Sequence, residues 1–382
     1  MTEIGFNDNV AVAGRKFHIQ TASNTRKGSV RCEVFEEGRL ITIYEIDFER
    51  RRQSNDESLK DRIKQIVSSV HKETINEIEL MFRIADKVKK LKHAPSNVKL
   101  GLIFQRNNLL KDAIEQFETA LSIDPKSAEA LNGLAFCHIK LGNYNKAIQT
   151  LKQALNIGAA YADIYNNLGL AYLYEKQYAK ALTNFQEALH INPRYNEAHY
   201  NLAILYLESS LYDKTANQLP PASIRIERAK QQLRKLYDTG NKAMKAIESK
   251  LNTLIQDEDI ENAVKLLMDN RNKVFPEEVL SLIGMDFYLK LMYGGKGLND
   301  NIIRKFETRL YKAVNEHPNY ADLWNSLGIV HLIQCRNLFL QALTEFDQAL
   351  NINPSFDKAL KNKKLVENDG KEFLILLRAI LR

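Results

Sequence analysis

Cysteine, tryptophan and proline are scarce in this chain: three, one and eight among 382 residues. Cys32, Cys137 and Cys335 are odd in number, far apart and set in apolar patterns. That excludes a disulfide-stapled fold and leaves free, buried thiols as the expectation. Long apolar runs are missing as well. None reaches the roughly 18 residues of a membrane helix, so no membrane insertion is expected. The opening Met1-Thr2-Glu3-Ile4-Gly5 has neither the basic nor the apolar stretch of a secretion signal. These absences point to the cytoplasm.

Catalytic and metal constellations are equally sparse. The eight histidines, at positions 18, 71, 93, 138, 190, 199, 317 and 331, never meet cysteine or carboxylate at metal-ligand spacing. Gly294-Gly295-Lys296-Gly297 has no strand before it and no Gly-Lys-Ser/Thr after it, which makes it an interhelical turn rather than a phosphate loop. Cys32 and His18 stand on neighbouring predicted strands as a possible nucleophile and base. Cys32 is nevertheless flanked by Arg31 and Glu33 in an alternating pattern, the setting of a core residue. The expectation is no enzyme, no metal and no cofactor, with an enzyme sited in the N-terminal domain as the least favoured alternative.

Neither sign of charge is lacking. Lys and Arg total 54 against 47 Asp and Glu, a net charge of +7 and a pI near 9.0. Basic residues cluster at Lys87, Lys89, Lys90, Lys92 and His93, at Arg225, Arg228, Lys230, Arg234 and Lys235, and at Lys358, Lys361, Lys363 and Lys364. None of these clusters is interleaved with aromatics or carries a recognition motif. Lysine near helix C-termini is what the helix dipole favours. A nucleic-acid-associated regulator is therefore the alternative reading, not the leading one.

What the chain has in abundance is a beat of 34 residues. Ala113, Ala147 and Ala181 are 34 apart, Phe117, Leu151 and Phe185 follow each by four, and Ala120, Ala154 and Ala188 by three more. One turn earlier in each unit stand Leu100-Gly101, Leu134-Ala135, Leu168-Gly169 and Leu202-Ala203. Two antiparallel helices and two turns fill such a period, and neither helix buries its apolar stripe without the neighbouring unit. Gly101 and Gly169 let the two helices approach closely, the alanines do the same from the second helix, and Pro125 and Pro193 end their helices.

These units resemble the tetratricopeptide repeat, most clearly from Asn166-Asn167-Leu168-Gly169 through Pro193. The resemblance covers 95–215 closely and 276–357 more loosely. In the second block Trp324, Leu327 and Gly328 open a unit closed by Ala342, Phe346, Ala349 and Pro354, with two extra residues between its halves. A bulged turn is expected there, near Cys335-Arg336-Asn337. The helix Ile302–Glu316 matches a second half, while its first half, around Leu280 to Met292, is displaced by the loop Gly294–Gly297. The fourth unit loses its pattern at Thr215 and meets Leu219-Pro220-Pro221, which is read as separating two arrays.

The remaining segments follow other periods. From Ser223 to Gln256, apolar residues recur every three or four positions, which predicts one long helix partnered by the next, Asp259 to Asp269. A coiled-coil seam to a second chain is the alternative, and Gly240 weakens it. Packing within the chain implies a monomer or weak dimer. Val10–Val12, Lys16–Thr21, Ser29–Phe35 and Leu40–Phe48 alternate apolar and polar residues between turn signals, an antiparallel meander of three or four strands. A polar linker from Arg50 to Glu57 leads to a helix with Leu59, Ile63, Ile66, Val70, Ile78, Met81, Ile84, Val88 and Leu91 on one face. The run Gly14–Thr21 is similar to a small domain placed ahead of repeats in some bacterial proteins of no assigned activity.

The expected fold class is mainly α, a tetratricopeptide-type helix-hairpin solenoid preceded by a small antiparallel sheet and long helix. Four segments are expected: 1–93 as the small α+β domain, 94–218 as the first array, 219–275 as the long helix and degenerate repeat, and 276–382 as a second array with a capping helix. The resemblance implies a non-enzymatic interaction scaffold or adaptor whose first helices line a concave face. There Asn132, Asn166, Asn167, Asn201 and Asn325 would offer amides to a peptide backbone, and Phe136, Ile139, Leu170, Leu173, Ile204 and Leu207 an apolar floor. The subclass that clamps a C-terminal carboxylate places basic residues at inner positions where this chain has Val98, Leu102, Asn132, Gly133, Asp163 and Asn167, with Lys99 a lone candidate. The implied partner is thus a protein or peptide of other chemistry, with neither nucleic acid nor acidic chaperone tails favoured.

Overall fold

The computed structural model describes residues 4–24, 28–47, 56–212, 219–275, 289, 293, 300–316 and 321–380. Thr215, the loop 294–297 and all but the last two residues of the predicted linker lie outside them, as does all of 280–292 except Leu289. The chain forms two compact units, 1–278 and 279–382.

The first unit opens with four strands, β1 (Gly5–Val12), β2 (Arg15–Asn24), β3 (Ser29–Glu36) and β4 (Arg39–Asp47), antiparallel in sequence order. Two of the turns hold two residues each. Val12 pairs with Arg15 around Ala13-Gly14, whose φ angles are 51° and 76°. Glu36 pairs with Arg39 around Glu37-Gly38, at 49° and 77°. Positive φ at both central residues matches the right-handed strand twist. Alternation then puts Phe17, Ile19 and Thr21 of β2 and Val30, Cys32 and Val34 of β3 on one buried face. Helix α1 (Asp56–Lys89) covers that face with Ile63, Val67, Val70, Ile78, Met81, Ile84 and Val88. Leu91, expected on the same stripe, lies beyond the helix and is exposed.

The sheet is also tied to the first hairpin. Arg15 makes a two-pronged contact with Glu36, reaches Asp112 Oδ1 at 2.5 Å, and lies over the rings of Phe17 and Phe82. These carboxylates hold the guanidinium charged against its partial burial. Tyr44 donates to Asn107 Oδ1 at 2.8 Å, and burial pushes its phenol up to about 12.

Hairpins follow on the 34-residue beat: α2 (Ala94–Arg106) with α3 (Leu110–Ile123), α4 (Ala128–Lys140) with α5 (Tyr144–Asn156), and α6 (Ala162–Tyr174) with α7 (Tyr178–Ile191). The turn inside each holds one left-handed residue, Asn108, Gly142 or Lys176, again 34 apart. The small residues act as the spacing predicts. A Cβ placed on Gly169 would lie 2.7 Å from the ring of Phe185, and one on Gly101 equally close to Phe117. Ala113, Ala147, Ala181 and the three aligned large residues are fully buried.

Stacking continues past Leu219-Pro220-Pro221. Helix α8 (Asn196–Tyr212) pairs with α9 (Ala222–Tyr237), so α9 supplies the second helix of the fourth hairpin. The single helix expected from Ser223 to Gln256 is instead two, α9 and α10 (Lys242–Gln256). Gly240 has φ 76°, a helix-terminating conformation that costs glycine little, and Asn241 caps α10 by accepting from the Ala243 and Met244 amides at 3.0 Å. Helix α11 (Ile260–Val274) then packs against both α10 and α8. One apolar core runs from Leu131 to Val274.

The second unit contains α12 (Asp300–Glu316), α13 (Ala321–Ile352) and α14 (Asp357–Ile380). The bulged turn expected near Cys335-Arg336-Asn337 is absent, and α13 runs through it as one helix of 32 residues. Neither glycine nor proline stands there to end the helix. Cys335, expected to be buried, is exposed, whereas Cys32 and Cys137 are buried and all three are free.

Candidate functional site

The first helices of successive hairpins, α2, α4, α6 and α8, lie side by side. Side chains one repeat apart meet across that row. Asn167 Nδ2 donates to Asn132 Oδ1 at 2.8 Å, and Asn132 Nδ2 donates to Asp163 Oδ2 at 2.7 Å. Farther along, Asn201 Nδ2 donates to Asn166 Oδ1 at 2.8 Å and its own carbonyl accepts from Arg271 Nη1 of α11 at 2.5 Å. Four of the five predicted asparagines are thus bonded to one another in two pairs across successive repeats.

Burial divides the predicted site residues sharply. Asn132, Phe136 and Asn167 are half-buried and reachable. Ile139, Asn166, Leu170, Leu173, Asn201, Ile204 and Leu207 are enclosed, with Asn166, Asn201 and Leu207 at 0% exposure. The cause on α8 is α11. Tyr200 donates to the Leu267 carbonyl at 2.5 Å and meets Phe275 edge-on at 5.2 Å, while Arg271 reaches Asn201. The face that would offer Asn201, Ile204 and Leu207 to a peptide is thus covered by the chain itself. Burial holds the Tyr200 and Tyr195 phenols well above their usual range, and the nearby Arg271 opposes it. Asn325 is exposed on α13 of the second unit.

The accessible stretch is the part built by α2, α4 and the start of α6. Lys99, Leu102, Gln105 and Arg106 of α2 are half-buried, as are Asn132, Phe136 and Asn167 on α4 and α6. The Lys140 ammonium lies 5.0 Å from the centroid of the Phe136 ring. Burial lowers the Lys99 pKa and raises that of Glu129, and the attraction of each for the other opposes the shift. Burial also pushes the Cys137 thiol up to about 12. At neutral pH iodoacetamide is expected to label Cys335 and spare Cys137, as peptide mapping by mass spectrometry would report.

In the N-terminal domain, Cys32 and His18 do not come together. Thr21 pairs with Cys32 across the strands, and His18 faces the other side, bonded to Asn9 and Gln20. Cys32 belongs instead to a buried chain that the sequence did not single out: Cys32 Sγ to Thr21 Oγ1 at 3.0 Å, Thr21 Oγ1 to His71 Nδ1 at 2.9 Å, and His71 Nε2 to Asp8 Oδ2 at 3.0 Å. Thr21, Cys32 and His71 are at 1%, 0% and 2% exposure and join sheet to helix, with Asp8 at the exposed end of the chain of bonds. Among the described residues no group of His, Cys, Asp and Glu could hold a metal ion, and no helix is long and apolar enough to cross a membrane.

Two family models, each described as tetratricopeptide repeat, match residues 106–168 and 162–195. No curated protein matches the chain. Among solved structures, the crystal structure of MamA is similar at 24% identity, covering 43% of this chain and 93% of that one, with a TM-score of 0.37. YrrB, titled a TPR protein with an unusual peptide-binding site, is similar at 17% identity over 52% of this chain and 95% of its own, with a TM-score of 0.32. TTC0263, a thermophilic TPR protein of Thermus thermophilus, is similar at 19% identity over 63% and 100%, with a TM-score of 0.32. The hairpins of unit 1 are thus tetratricopeptide repeats over 106–195, the stretch that the family models match, with Gly101 and Gly169 set against the buried rings of Phe117 and Phe185.

Proposed function

We propose that the first unit captures a peptide segment of a protein partner on the face shared by α2, α4 and the start of α6. The observation that carries this reading is the contrast in exposure along one row of helices. Equivalent positions are closed by α11 on α8 and stay reachable as Asn132, Phe136 and Asn167 on α4 and α6. Asn132 and Asn167 hold each other in fixed orientation, and each retains amide capacity for a peptide backbone. Phe136 supplies a ring for an apolar side chain, with the Lys140 ammonium beside it. The segment that suits this lining carries an apolar anchor with acidic residues beside it. The protein acts as an adaptor with no chemistry of its own.

The full chain, immobilised and panned against a random peptide library, tests this. Selected peptides are expected to show acidic residues around one apolar anchor, and to bind Phe136→Ala combined with Asn167→Ala about ten-fold or more weakly, some 1.4 kcal/mol or more. Lys89→Glu combined with Lys90→Glu should leave affinity within a factor of about two, since charges outside the contact are screened. If the charge reversals abolish binding and the groove pair does not, the electrostatic alternative takes over.

A further inference from the structure

In the first and third hairpins of the first unit, a glycine on the first helix receives a large ring from the second. Gly101 meets Phe117 and Gly169 meets Phe185, sixteen residues on. Residues 321–352 repeat this pattern, with Trp324, Leu327 and Gly328 in the first half and Ala342, Phe346 and Ala349 in the second. Here the halves form one continuous helix. Gly328 and Phe346 then stand about 27 Å apart along its axis and cannot meet within one chain.

The consequences are visible at Gly328 and in the middle of the helix. Gly328 is exposed, and a Cβ built on it meets no described atom within 4 Å, unlike its counterparts in the first unit. Helix α12 packs against α13, on which Leu323, Leu327, Val330 and Ile333 are buried, while α14 packs along its second half, where Lys363 reaches Asp347 at 2.6 Å and Phe346 stays half-buried. Leu338 and Leu340, where the turn would lie, are 64% and 48% exposed.

We propose that α13 is an opened repeat which two copies of this chain close reciprocally. The register itself selects a second copy as the occupant. An antiparallel partner with its two-fold axis at residue 337 sets Gly328 against the partner's Phe346 and, by the same operation, Phe346 against the partner's Gly328. Leu332 then falls opposite the partner's Ala342, and Trp324 beside the partner's Ala349. By repeat register Trp324 and Ala349 hold the places of Tyr165 and Ala188 in the third hairpin, and Leu332 and Ala342 those of Leu173 and Ala181. A self-complementary patch of this kind gives a closed, isologous dimer, and exchange of identical elements is a low-cost route to it. Each protomer contributes half of two complete hairpins.

Light scattering on the full chain reads the outcome. The wild type is expected to be a dimer. Gly328→Leu, which fills the notch meant for the partner's ring while favouring helix, is expected to be a monomer with unchanged helicity. Phe346→Ala is expected to raise the dimer dissociation constant at least ten-fold, and it decides the matter should Gly328→Leu lose helicity. A wild type that stays monomeric at the highest soluble concentration overturns the proposal, because α13 must then bend and close on itself. A dimer unaffected by both substitutions overturns it too, because the contact must lie elsewhere.

Discussion

Replacing Phe185 by alanine is expected to remove about 3–5 kcal/mol of stability from the first unit, the range for deleting a fully buried aromatic ring. The ring is 0% exposed and lies under Gly169, where even a single added carbon would sit 2.7 Å from it. Glycine cannot swell into the space the ring leaves, so the void persists unless α6 and α7 move together. Collapse is resisted from outside as well, because α6 also packs on α5 and α7 on α8. In a stack of repeats stability is close to a sum of unit and interface terms, so the loss should spread to the neighbouring hairpins. Hydrogen exchange by mass spectrometry would locate it as lost protection across α6 and α7 with the sheet unaffected. The double substitution Phe185→Ala with Gly169→Leu should recover part of the loss, since the leucine enters the vacated volume. Full stability in the single variant would show that the glycine–ring contact is not what sets the spacing of the hairpin.

The beat of 34 was enough to place α2 to α8, because small and large apolar residues recur only where helices must approach. The sheet was equally legible, since Ala13-Gly14 and Glu37-Gly38 are turn signals with a single structural meaning between alternating strands. Periodicity failed where the same residues suit two outcomes. From Ser223 to Gln256 the apolar stripe runs on in register across Gly240, yet Gly240 and Asn241 together form a helix end and a helix start. At Cys335–Asn337 the reverse holds: the repeat pattern implies a turn, but no residue there opposes helix, and helix prevails. The asparagines misled for another reason. Their spacing put them on the correct faces, but Asn166 and Asn201 are 35 residues apart and meet only when repeats stack. An amide aimed at a peptide and an amide aimed at the next repeat look alike along a single helix. The same limit hid His71, which sits on the apolar stripe of α1 and whose partners Asp8 and Thr21 lie on two strands.

The covering of α8 by α11 has an energetic test of comparable size. Leu267→Asp is expected to cost about 3–5 kcal/mol, the penalty of leaving a charge buried without a partner. Leu267 is 0% exposed, and its carbonyl accepts from the buried Tyr200. Arg271, one turn along α11, is engaged with Asn201 and would have to abandon that bond to neutralise a carboxylate at 267. Docking of α11 also relies on Ile260, Ala263, Val264 and Val274, so the helix should detach as a unit with α10 rather than distort at one residue. Hydrogen exchange is expected to show lost protection in α10 and α11 and newly exposed amides on α8, while α2 to α7 keep theirs. Detachment would uncover Asn201, Ile204 and Leu207, extending the reachable face from α4 and α6 onto α8. Peptides selected on the wild type should therefore bind the variant at least as tightly, because their contacts at Asn132, Phe136 and Asn167 are untouched. Weakened peptide binding together with intact α2 to α7 would mean that α11 is part of the binding face rather than a cover on its far end.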